Sequence, residues 1–194
     1  YAIPILIGIA SLYAVFALES QYPFDRQQPV AFHVLEQSGT ALAPEEALRQ
    51  LERVPTVSQQ DTKLSEAPYW LSFSVSPGGA AEATVLELPS RHGTEVACWS
   101  TAPLSPLGRA DRSSRAGKLR MEKTGFAVDL GRLTTETTIL CKAEHAGPAR
   151  ITVLQWPDSE FDLSVQKFHR NAGLLDGGLI VLALFVLVTA IINR

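Results

Sequence analysis

The sequence predicts a mainly β protein, an antiparallel, jelly-roll-like β-sandwich flanked by two transmembrane helices. Three observations point there. Apolar runs with at most one charge sit at both ends, the middle alternates apolar and polar residues with a period of two, and turn residues punctuate that middle. The composition agrees. Charged residues make up only 19% of the 194 residues, below the usual share of about a quarter, and 12 prolines with 13 glycines argue against a helical bundle.

The first run, Tyr1 to Leu18, carries no charge, and 18 residues at about 1.5 Å each reach roughly 27 Å, near the hydrocarbon thickness of a bilayer. Residues 1–19 are expected to be a transmembrane helix or uncleaved signal anchor. The alternative is a cleaved signal peptide, although the run is longer than the usual apolar region of one. The second run, within residues 174–193, holds a single acid, Asp176, in its first turn, and is also expected to span a membrane. Residues 22–170 then form an exported domain on a two-helix tether, with Arg194 as a flanking cation on the far side.

Within the domain, residues 43–51 read as one short helix, with Pro44 early, Glu45 and Glu46 in the first turn, and Leu48 and Leu51 on one face. Six strands follow, at 69–75, 83–88, 94–99, 125–130, 137–143 and 149–156. In the first of them Leu71, Phe73 and Val75 share the face expected to meet the core. Residues 108–123, rich in Arg and Lys, read as a solvated loop between strands, or as a holder of an anionic ligand. After Pro157, residues 158–170 form an amphipathic pattern with Phe161, Val165 and Phe168 on one side, expected to run on into the second span.

Two cysteines exclude a disulfide-dense scaffold and any zinc site built from cysteine pairs. Cys98 and Cys141 fall on two predicted strands of an exported domain. They are expected to form a disulfide, the alternative being two free core thiols. The four histidines are scattered, with no metal-ligand spacing, so neither a metal nor a cofactor is expected. No nucleophile elbow, phosphate loop or zinc-protease motif occurs, and no enzyme active site is expected in this segment. A net charge of −3 gives no electrostatic case for nucleic acid. The candidate ligand-binding residues are Trp70, Trp99 and Trp156, each able to stack on a sugar ring if exposed or to fill a core if buried, together with Arg91 and Arg115.

The order of four stretches, LEQSGTALAPEEALRQL at 35–51, APYWLSFSV at 67–75, VLELPSRHGTEVACW at 85–99 and TTILCKAEHAGPARITVLQW at 137–156, resembles a known family. It is similar to the type 2 extracellular domain of bacterial seven-transmembrane receptors with diverse intracellular signalling modules, over about residues 30–170. The resemblance implies a periplasmic jelly roll at the inner membrane that senses a small molecule or glycan. It further implies a homodimer with a cytoplasmic output, a diguanylate cyclase making cyclic di-GMP or a histidine kinase. Two positions depart from the pattern. Ser72 stands where the family often has Arg, and Ser76-Pro77 where it often has Asn, so ligand roles at those positions do not carry over. The other reading of the residues is a membrane-anchored carbohydrate-binding or envelope-assembly subunit without signalling output.

Overall fold

The computed structural model describes residues 27–77 and 82–192. The expected first membrane helix, 1–19, lies outside the described residues. In chain order the elements are β1 (Gln28–Pro29), β2 (Phe32–Glu36), α1 (Pro44–Leu51), β3 (Thr56–Val57), β4 (Gln60–Asp61), β5 (Tyr69–Val75), β6 (Thr84–Leu88) and β7 (Gly93–Thr101). There follow β8 (Leu104–Asp111), β9 (Arg115–Gly117), β10 (Leu119–Glu122), β11 (Gly125–Gly131), β12 (Thr137–His145), β13 (Arg150–Ile151), β14 (Leu154–Pro157) and α2 (Asp158–Ile192).

Two sheets carry the fold, one of five strands in the order β1-β14-β6-β11-β10 and one of seven in the order β3-β2-β5-β12-β7-β8-β9, with β13 and β4 as a separate ribbon. Every strand pairing among the described residues is antiparallel. The predicted mainly β sandwich is the observed architecture. Alternation sets the core: Tyr69, Leu71, Phe73 and Val75 of β5 face inward and meet Leu86, Leu88, Phe126 and Val128 of the opposite sheet. Cys98 and Cys141 are register partners on β7 and β12, and the disulfide joins them inside this core.

Unusually for a sandwich, part of each outer face is also covered. On the seven-stranded sheet α1 lays Ala47 and Leu51 over Trp70 and Leu140. On the five-stranded sheet the first turns of α2 cover Val85, Ala127 and Trp156. That is why all five residues of β6 are buried, including Glu87.

Two expectations are corrected. Residues 108–123 are no loop: β8, β9 and β10 occupy most of them, Ala110 and Leu119 reach the core, and their exposed charges disguise the alternation. Gly108 and Gly117 are partners across β8 and β9, both at positive φ, and a Cβ on either would fall 2.2 or 2.3 Å from the opposing backbone. The strand expected at 149–156 is two strands. Ile151 and Val153 both enter the core, and the chain leaves the β4 ribbon to join the five-stranded sheet beside β6.

Two stability predictions follow from this packing. Closing a loop of 43 residues, the disulfide contributes about 4 kcal/mol in the chain-entropy model, so Cys98→Ala/Cys141→Ala should lose about that much in urea unfolding. His145 is buried without a hydrogen-bond partner for Nδ1 and lies edge-on to Tyr69. Burial, with a smaller contribution from His92, holds its pKa below the ordinary 6.5. The unfolded chain therefore takes up a proton first as pH falls. Stability from this group is complete above the ordinary value and is lost as pH drops through the folded one. His145→Leu should lose less stability than the parent between about pH 7 and about pH 5.

Candidate functional site

The sandwich enters its long helix with no residue in between. Pro157 closes β14, paired with Thr84 of β6, and Asp158 opens α2. The Asp158 amide donates to the Ala83 carbonyl at 2.9 Å, and Asp158 and Glu160 place acids in the first turn, where the helix dipole favours them. The helix is continuous for 35 residues, about 52 Å. Its apolar part has a mean hydropathy of 2.5 and none of it is buried, so one described helix is long and apolar enough to cross a membrane.

A charge sits under the start of that helix. Phe161 is fully buried against Trp156, Val85 and Ala127, its ring edge-on to Trp156. The Lys123 ammonium lies 4.7 Å from the centre of the Trp156 ring and 4.9 Å from that of Phe161. Its counter-ion is Glu87 of β6, 3.0 Å away, with side-chain exposures of only 13% and 7%. Lys123 reaches this position from the β10–β11 turn at a φ of 53°, a left-handed conformation costing a non-glycine residue on the order of 1 kcal/mol. Arg120 adds a second cation 5.5 Å from the Phe161 ring and lies 3.6 Å from Asp162 of the helix. Two cations from one hairpin thus hold the first turn of α2 onto the five-stranded sheet.

The opposite outer face holds a cleft. Where α1 stops, the outward residues of β2, β5, β12 and β7 are His33, Ser72, Ser74, Thr138 and Thr101, with Glu52 on the rim, around ≈ 580 Å³ of space. His33 Nδ1 is bonded to the Val54 carbonyl, which can only accept, so this nitrogen carries the proton. In the neutral ring Nε2 is then an acceptor. Ser74 and Thr138 share a 3.2 Å hydrogen bond, and Thr101 donates to the Thr138 carbonyl at 3.0 Å.

The structure does not bring together all five residues expected at a ligand site. Trp70 and Trp99 do come together, stacked with centres 5.6 Å apart, but Trp70 is 1% exposed beneath α1 and donates its Nε1–H to Gln37. Trp156 lies on the far sheet with Lys123 against its ring. Neither Trp70 nor Trp156 offers a ring face to a ligand in this arrangement. Arg91 is an exposed turn residue whose carbonyl accepts from Arg112, and Arg115 is exposed on the edge strand β9. Sequence reasoning passed over Glu87, and it took Lys123 and Arg112 only as part of the basic segment 108–123. Arg112 donates to carbonyls of Ser90, Arg91, Gly93 and Thr124 and lies over the Phe126 ring, tying two turns together.

No family model and no curated protein matches the chain. Among solved structures it is similar to TmCBM61, a carbohydrate-binding module in complex with beta-1,4-galactotriose, at 11% identity and a TM-score of 0.29, over 72% of this chain and 93% of that one. It is also similar to a family two carbohydrate esterase from Cellvibrio japonicus, at 11% identity and a TM-score of 0.28, over 68% of this chain and 33% of the esterase. Likeness at that level says nothing of ligand or reaction.

Removing one partner of a buried pair leaves the other charge unpaired, whereas removing both need not destabilise. Lys123→Met should therefore cost about 3 kcal/mol in urea unfolding. Lys123→Met/Glu87→Leu should recover most of that loss. Equal stabilities for the two variants would show that Glu87 does not depend on Lys123.

Proposed function

We propose that this chain is the ligand-sensing input module of a bacterial membrane receptor, a periplasmic β-sandwich that passes its state through α2 to a cytoplasmic output. The observation that carries the reading is the junction. A sheet and a membrane-length helix share a covalent strand-to-helix step, and the first turn of that helix is held to the sheet by Phe161, Lys123 and Arg120. A tether that only anchors a domain needs no such keying, and a flexible linker would serve it as well. The disulfide supports an oxidising compartment, and the apolar helix supports the inner membrane. The output proposed is a diguanylate cyclase acting in a homodimer, as the resemblance to the receptor family implies.

In such a device a ligand acts only through its differential affinity for two arrangements of sheet and helix. Coupling is tested without knowing the ligand, by using the junction itself as the stimulus. In the full-length parent, Lys123→Met/Glu87→Leu should change cellular cyclic di-GMP. The same double substitution should have no effect once a long Gly/Ser segment is inserted after Arg170. An unchanged level in the uninterrupted parent, or the same change with the insertion present, would rule out transmission through a rigid α2.

A further inference from the structure

We propose that the cleft beside the C-terminus of α1 is a binding site for a small organic cation carrying an ammonium group. This rests on reading the chain as a ligand-sensing module and names where, and what class of ligand, it senses. The space of ≈ 580 Å³ falls within the usual range of small-molecule sites, about 300–1,000 Å³. Its chemistry is one-sided. Among the described residues no Lys or Arg lines it, while Glu52 does. Nearby Arg49 does not neutralise Glu52, because it is engaged by Glu46. Glu52 caps the C-terminal end of α1, where the carbonyls of the last turn give the helix its negative pole. The carboxylate and the helix end therefore add their fields at one place.

The floor contributes acceptors as well. Val54 accepts from His33 Nδ1, so in the neutral ring Nε2 is the acceptor. Ser72 of β5 adds a hydroxyl to that floor. It is only 5% exposed and it lines the cleft. An ammonium group has three donors and no acceptor, which suits a carboxylate, an imine nitrogen and a hydroxyl lone pair. An anion would meet Glu52 and the helix end with the wrong sign, and a neutral polyol could donate hydroxyl hydrogen bonds to them but would gain no charge attraction.

The test is titration calorimetry on the full chain in lipid nanodiscs, with paired probes of equal shape: putrescine against butanediol, and glucosamine against glucose. The amine of at least one pair should bind more tightly than its neutral counterpart. Glu52→Gln, an isosteric change at an exposed position, should weaken that amine by about tenfold, the usual scale for a charge-assisted hydrogen bond. Ser72→Ala should weaken it as well, with the disulfide and circular dichroism unchanged. Added salt should weaken the parent more than the Gln variant. Neutral probes binding as tightly as amines, amine binding indifferent to Glu52→Gln, or no saturation by either amine up to millimolar concentration would each overturn the assignment. None of these outcomes touches the coupling experiment, which uses no ligand, so failure of the cleft and failure of the receptor reading are separately visible.

Discussion

The arrangement turns on one buried cation. Lys123 leaves a hairpin in a left-handed conformation and ends between two aromatic rings, 3.0 Å from a carboxylate on a strand whose residues are all buried. Buried ion pairs are poor sources of net stability, since desolvation of both groups offsets their attraction. What they do supply here is position. An apolar helix face could slide along an apolar sheet at little cost, but Phe161 cannot leave its place without exposing the cavity beneath it or withdrawing a ring from Lys123. The first turn of α2 is thereby given one register on β6, β11 and β14.

The two outer faces differ because their covers differ in length. α1 is eight residues, about 12 Å, and it shields only the end of the seven-stranded sheet that bears Trp70, Trp99 and Leu140. Past its last turn the sheet surface consists of hydroxyls and an imidazole, and that stretch is the cleft. Cleft and junction are joined by the sandwich itself. Phe73 of β5 lines the cleft from below and belongs to the same close-packed core as Leu86 of β6 and Val128 of β11, the strands on which α2 rests. A core at crystal-like density responds to a displaced strand by shifting as a body, which is the physical route from one outer face to the other.

Much of this was legible in the residues, and the exceptions have causes. The alternation of 69–75 located β5 to the residue, because every second side chain is large and apolar. Pro44, two acids and the Leu48–Leu51 spacing located α1 nearly as well. The pairing of Cys98 with Cys141 was reachable because both lie on well-marked strands. In β8 to β10 the outward charges outnumber the inward apolar residues, so the period disappears under them. The role of Lys123 could not be read, since it depends on Glu87, 36 residues away, and on a turn geometry no local pattern encodes. Nor could the cleft. Ser72, Ser74 and Thr138 look like any solvent-facing side of a strand until one knows where α1 ends.

The same constraint fixes what a ligand could achieve. A continuous helix of 35 residues has no hinge of its own once its first turn is locked, even though Gly173, Gly177 and Gly178 lower its intrinsic stability. From Phe161 to Ile192 it runs for about 46 Å, so a tilt of about 10° at the sheet displaces the far end by about 8 Å. Changes of that size at the membrane need only a small rearrangement of the sandwich. They need it at the junction, because that is where the helix is held to the sheet. Tightening or loosening the grip of β6 and β11 on Phe161 is therefore the most economical way for the domain to move its helix, and Lys123 is where that grip is set.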